Sequence, residues 1–413
     1  MNYQNSILFA KSLDEDDSLS SYRKEFHYPE DDNGNQLIYL CGNSLGLQPK
    51  SASDQMDKEF SIWSKMGVLG QEERWIAYHE RLTKPFANLV GCRETEVVAM
   101  NALTVNIHLL LISFYNPNKK RIKILMEKDA FPSDQYAIQS QIELHGFETK
   151  DALIEIAPRE GEKVLRDQDI IDSIEKNSDE LALIYLGGLN YYTGQAFDMK
   201  SITSLGRSKG IMVGFNLAHS AGNIPLELHD WGVDFAAWCT YKYLCGGPGS
   251  PAGIFIHDRH HDWKGHRLLG WWGHDKESRF EMSPYFNPIP TAEAWQISNA
   301  PIMGMAPLIS SMEIFDKVGM KAIHRKGMEL SSYMEYLLKE TLPQVSIITP
   351  INRGCQLSII VPGGREIFDF LIDNGVVCDW RNPDVIRVAP HPLFNSFTEI
   401  FKFVKILKKA FDR

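Results

Sequence analysis

Trp238-Cys-Thr-Tyr-Lys-Tyr-Leu-Cys-Gly-Gly-Pro-Gly249 sets one lysine, Lys242, directly after an apolar strand-like run and directly before a glycine-rich turn. An amine held there is partly desolvated, which lowers its pKa and makes it a better nucleophile toward an aldehyde, as Schiff-base chemistry requires. A lone lysine at a strand end is more often a plain surface residue. A second stretch about one strand–helix unit upstream, Gly214-Phe-Asn-Leu-Ala-His-Ser-Ala-Gly-Asn223, changes that balance. It places Asn216 and His219 at the carboxyl end of a strand, where ligands of open α/β sheets bind. A third, Met100-Asn-Ala-Leu-Thr-Val-Asn106, leads into a helix whose free N–H groups and Thr104 hydroxyl suit a phosphate, although a threonine there is by itself usually only a cap.

Outward from these stretches, short β-rich runs recur at 122–126, 153–156, 181–186, 211–215, 235–239 and 253–256. They are continuously apolar rather than alternating, as suits strands covered on both faces. Helical segments fit between them: 133–144 opens with a plausible N-cap, and 199–209 ends before Gly210 in a C-cap position. Alternating strand and helix predicts a mostly parallel α/β sheet, with one edge strand antiparallel where the later runs crowd together. From about residue 306 the pattern changes to helices at 307–318 and 320–340, strands near 345–348, 355–361 and 385–388, and helices at 366–374 and 399–411. This predicts a smaller α+β domain. The first fifty residues, with the acidic run 14–17 and a turn-rich stretch at 29–34, read as an arm and loops.

The chain has 413 residues, 44% hydrophobic and 11% aromatic, enough for two domains sharing a core. Its net charge of −10, from 53 acidic against 43 basic residues, disfavours nucleic acid or an anionic membrane as partner. Six cysteines lie far apart with no C-x-x-C pair, so neither a metal site nor a disulfide scaffold is expected. The start of the sequence lacks a charged, then apolar, leader, and no apolar run reaches membrane-spanning length, so the expectation is a cytoplasmic protein.

Taken with Cys41-Gly-Asn-Ser-Leu-Gly-Leu47, Ala130-Phe-Pro-Ser-Asp134, Asn190-Tyr-Tyr-Thr-Gly-Gln195, Leu228-His-Asp-Trp-Gly-Val-Asp-Phe235, Gly270-Trp-Trp-Gly-His274, Ile297-Ser-Asn299, Arg353-Gly-Cys-Gln-Leu357 and Ile386-Arg-Val-Ala-Pro390, the sequence resembles the kynureninases. The likeness runs over nearly the whole chain. These are pyridoxal-phosphate (PLP) enzymes of fold type I, in the class-V aminotransferase group. The resemblance implies an α/β fold: a large domain with a mostly parallel sheet of the seven-stranded type and a smaller α+β C-terminal domain. The division expected is 1–60 for an arm and part of the small domain, 61–305 for the PLP-binding domain and 306–413 for the small domain. It also implies a homodimer with shared active sites and a kynurenine-type amino acid as substrate, split to an anthranilate and L-alanine. Breaking a carbon–carbon bond requires an electron sink that side chains lack and PLP provides.

On this resemblance Lys242 holds PLP and shuttles the α-proton, and Tyr241 binds the phosphate and takes part in proton transfer. Leu103 and Thr104 cup the phosphate, Phe131 stacks on the pyridine ring, and Asp134, Asn216 and His219 surround its polar edge. Trp271 reaches the cofactor from the partner subunit. Arg387 pairs with the substrate α-carboxylate, while His274 and Asn299 lie by the aromatic ring, Asn299 also near the cofactor. The family carries an aspartate where this chain has Asn216, a serine often found at Gly187, an asparagine at Cys245 and a histidine near Gln71. A neutral amide adds no charge beside the ring nitrogen, so either reduced catalysis or compensation by Asp134 is expected. Two other readings stay open: a class-V cysteine desulfurase or aminotransferase, with Cys355 as the thiol to consider, and a PLP-binding homologue with little catalysis. A nicotinamide oxidoreductase ranks below them, because no G-x-G-x-x-G opens a helix after the early strands.

Overall fold

A computed structural model describes residues 2–413. Its centre is a seven-stranded sheet of β1 (Val97–Met100), β2 (Lys123–Glu127), β3 (Leu153–Ile156), β4 (Leu181–Gly187), β5 (Met212–Asn216), β6 (Phe235–Trp238) and β7 (Ala252–Ile256), in spatial order β1-β7-β6-β5-β4-β2-β3. Strands β2 to β6 pair in parallel, and β7 runs antiparallel to both β6 and β1. The antiparallel strand is therefore second from the edge, not the edge itself. The outermost strand, β1, escaped the sequence reading because it has only four residues.

Continuous apolar strands have their physical reason here. Leu125, Ile184, Phe215 and Ala236 bury into one core, while Ile124, Leu183, Phe235 and Ala237 bury into a second across the sheet. With both faces covered, no position has cause to be polar. The helix Pro132–Leu144 starts one residue earlier than expected: Pro132 supplies the first helical position and Phe131, not a serine, stands at the cap. The helix expected from Pro307 begins at Ile302 and keeps Pro307 inside it, where the missing N–H forfeits a single backbone bond.

The smaller unit carries an antiparallel four-stranded sheet in the order Asp379–Arg381, Val385–Val388, Leu357–Ile360, Ser346–Ile347. The N-terminal residues pack into this unit, and where arm and loops were expected they include a helix and a short strand. Helix Ile7–Glu15 is capped by Ser6 and packs against Phe397–Phe411, and Ile38–Tyr39 pairs in parallel with Val376–Val377. The acidic run does the anchoring. Asp14 accepts from the Phe397 and Thr398 N–H groups, at 2.6 and 3.0 Å, and Asp17 meets the buried Lys326 at 2.6 Å. A carboxylate at a helix start satisfies N–H groups with no partner inside the helix.

The other end of the large sheet is tied by Glu96, ahead of β1, and His257, after β7. Glu96 is fully buried and accepts from Arg93 N, Asp258 N and His229 Nδ1 at 2.8–3.0 Å. This cluster lies at the amino ends of the parallel strands, away from the cleft described next.

Candidate active site

The carboxyl ends of the parallel strands open onto a cleft of about 730 Å³. Its walls include Leu103, Thr104, Phe131, Asp134, Asn216, His219, Tyr241 and Lys242, so eight of the residues singled out from sequence converge on one space. The loop after β6 sets the lysine. The Thr240 hydroxyl bonds Pro251 O at 2.6 Å, Gly246 N reaches Thr240 O at 2.9 Å, and Cys245 takes a left-handed φ of 53° to close the turn. Gly46 packs onto this turn so closely that a Cβ would lie 2.5 Å from the Lys242 carbonyl, which is why the Cys41–Leu47 stretch needs glycine there.

Lys242 Nζ stands 3.0 Å from His219 Nε2 and 5.8 Å from the centre of the Phe131 ring. Burial lowers the proton affinity of the amine, and the Arg387 and Arg381 charges push the same way. His219 is held well below its ordinary value by burial and by Lys242, so its imidazole is neutral. Its Nδ1 is buried without a partner among the described residues. Asn216, the last residue of β5, donates through Nδ2 to both Asp134 oxygens at 2.8 and 3.0 Å and accepts from Ala218 N through Oδ1. Tyr185 OH adds a third donor to Asp134 at 3.1 Å. Burial raises Asp134 to about 6 against the pull of these donors.

Arg387 is fully buried beside the cleft rather than in its wall. Its Nε and Nη2 pair with Asp379 at 3.1 and 2.8 Å, and Nη1 donates to Tyr191 O at 2.7 Å. One N–H on each Nη is left over, an end-on pair suited to a carboxylate. Trp271, His274 and Asn299 do not line the cleft. Trp271 is half exposed with its indole N–H on Arg279 O, His274 bonds Ser278 and Asn287 N, and Asn299 is exposed.

Three residues of the site went unassigned in the sequence reading. Tyr191 lies edge-on to Phe131 at 5.3 Å, and its Asn190-Tyr-Tyr stretch was visible without a role. Asp379 orients Arg387 from the neighbouring strand; a lone acid in an apolar run was its signal. Glu127, at the end of β2, is a buried carboxyl in the cleft wall, again an acid closing an apolar run.

The site fits PLP on several grounds. The helix Leu103–Phe114 begins at the cleft with no side-chain cap, leaving first-turn N–H groups for a phosphate. Lys242 is placed for an aldehyde, Phe131 offers a ring face, and the unpartnered His219 Nδ1 and Glu127 Oε2 mark where polar ligand atoms are missing.

Comparison with known proteins agrees. The class-V aminotransferase model matches residues 38–362, and the model for the kynureninase C-terminal domain matches 323–407. In overall fold the chain is similar to a cysteine desulfurase from Thermococcus onnurineus (TM-score 0.76, 19% identity, 94% of this chain and 97% of that one). It is also similar to a cystine C–S lyase bound to cysteine persulfide (TM-score 0.78, 17% identity, 90% and 97%). Fold and site thus define a PLP-dependent enzyme of fold type I in the class-V aminotransferase group. Kynureninases from Flavobacterium psychrophilum and Mus musculus are 51% and 45% identical to it, over 99% and 98% of this chain and 99% and 93% of theirs. The chain belongs to the kynureninase family.

Proposed function

We infer that this chain hydrolyses the Cβ–Cγ bond of L-kynurenine or its 3-hydroxy derivative, giving anthranilate or 3-hydroxyanthranilate and L-alanine. The observation that carries this is the single cleft in which a desolvated Lys242 amine, a carboxylate floor and an uncapped helix start face one another. Bound PLP supplies the electron sink for cleavage at Cβ. Lys242 takes and returns protons at Nζ, because its lowered proton affinity leaves free amine available as base. Tyr241 keeps its phenolic proton, since burial raises it, and acts as the acid or phosphate donor at the cleft. Leu103 and Thr104 N–H groups hold the phosphate, Phe131 covers the ring, and Asp134 carries negative charge at the ring edge beside Asn216 and His219. Arg387, clamped by Asp379, takes the α-carboxylate end-on, a fork that lysine lacks.

The same reading gives a homodimer. Phe60, Trp63, Val68 and Leu69, together with Leu268, Leu269, Trp271 and Phe280, are exposed apolar side chains, a pattern that marks association surfaces. In that arrangement the segment bearing Trp271, His274 and Asn299 completes the cleft of the partner subunit. It divides the chain at 1–60, 61–305 and 306–413 and assigns a cytoplasmic role in tryptophan breakdown. No helix among the described residues is long and apolar enough to cross a membrane. The desulfurase reading is opposed by Cys355, which is 2% exposed and whose thiol burial pushes up to about 12.

The test is to purify the protein with PLP and follow L-kynurenine loss together with anthranilate and alanine formation. Stoichiometric products support the reading; bound cofactor with no products directs attention to another amino acid or to a degenerate site around Asn216.

A further inference from the structure

Three strand ends lie side by side on the cleft floor: Glu127 of β2, Gly187 of β4 and Asn216 of β5, with Gly187 and Asn216 in register. Two carboxyls meet there, and their surroundings differ. Asp134 receives three donor contacts, from Asn216 Nδ2 twice and from Tyr185 OH. Glu127 is only 4% exposed, and its Oε2 has no partner among the described residues. The flank that a side chain on β4 would cover is bare: a Cβ at Gly187 would lie 3.2 Å from Glu127 Oε1, but glycine leaves that space open. An isolated buried carboxylate is costly, while a carboxyl supplied with donors is not.

We propose that Glu127 is a positioning residue of this site, a carboxylic acid that keeps its proton beside the notch at Gly187, so that Asp134 alone carries negative charge against the bound ligand. The proposal rests on the cleft around Lys242 being the active site. It assigns the two carboxyls opposite tasks, one donor and one anion, by the pattern of hydrogen bonds around them. Burial and the nearby Asp134 charge hold Glu127 up to about 8, the Asn190 amide pulling the other way. The titratable groups on its cleft side are Asp134, Tyr191, His219, Tyr241 and Lys242, with Tyr185 behind Asp134. On the outer side are Lys128, Asp129, Glu162, Lys163 and Tyr192. Ionisation of Glu127 at high pH would place a second charge beside Asp134 and raise the proton affinity of both.

Infrared difference spectroscopy of the cofactor-loaded protein tests this directly. The parent should show a carboxylic-acid carbonyl band that converts to carboxylate with a midpoint about 8, and Glu127→Gln should lack both band and transition. Gly187→Ser, which brings a donor hydroxyl to the carboxylate, should lower the midpoint by about one pH unit, and Gly187→Ala should not. A parent already ionised at neutral pH, a transition that survives in Glu127→Gln, or equal shifts in the serine and alanine variants each overturn the proposal. Borohydride capture of PLP on Lys242 is scored separately. Capture without the acid band sinks this proposal alone, whereas absence of capture sinks the active-site reading beneath it.

Discussion

Asn216→Asp is the substitution that interrogates the cleft floor most sharply. It exchanges an amide that donates to both Asp134 oxygens for a second carboxyl at the same 2.8–3.0 Å spacing. Two unit charges ~3 Å apart at an effective dielectric of ~20 repel by about 6 kcal/mol, or about four pKa units. The pair therefore titrates as a dyad that retains one proton well above the range of an isolated aspartate. The sign follows from linkage. The folded variant holds a proton that the unfolded chain releases near pH ~4, so the associated stability is complete below that value and is lost as pH rises toward the raised folded value. Asp134 and Glu127 already give the parent some of this slope, being raised to about 6 and about 8. The difference between the two proteins is thus the measurement. In thermal unfolding of the cofactor-free forms, the variant should drop progressively below the parent as pH is raised from ~6 to ~9, and should release more protons on unfolding. Parallel curves would mean that the two side chains do not face each other as described, and the charge argument for the floor would fail.

Lys242→Ala should remove turnover and the borohydride-reducible link to PLP together; a link that persists elsewhere would refute the assignment. Arg387→Lys should raise KM for kynurenine by about 10–100-fold, worth ~1.4–2.8 kcal/mol, because lysine cannot offer two parallel N–H groups while also pairing with Asp379. A change of less than threefold would show that the carboxylate binds elsewhere. Cys355→Ser should leave kynurenine turnover within about twofold, since the buried thiol is remote in reactivity from a nucleophile; loss of all turnover would reopen the thiol-based reading.

Much of the large domain was readable because its signals are local. A strand buried on both faces has to be apolar throughout, so all six runs identified fall within one residue of observed strands at each end. The misses have particular causes. Strand β1 has only four residues, too few to establish a period. The N-terminal helix has a clear Ser6 cap, yet its acids find their purpose only against a helix nearly four hundred residues later.

For the site, the lysine, the helix start and the strand-end amide and imidazole were each announced by their place after an apolar run, a relation of neighbours in the chain. Asn216, Asp134 and Glu127 show the limit of that. Sequence identifies an amide where the family has an acid, but the partner of that amide, and which nearby carboxyl keeps an oxygen without a donor, depend on three strands and a helix meeting at one point. Likewise Arg387 is legible as a buried cation in a strand, whereas the choice of which of its edges remains free for a carboxylate belongs to Asp379 and the Tyr191 carbonyl. Local chemistry along the chain determined the fold class and the reactive lysine; the distribution of charge and protons around it was decided by tertiary packing, because burial and hydrogen-bond supply are properties of the assembled cleft.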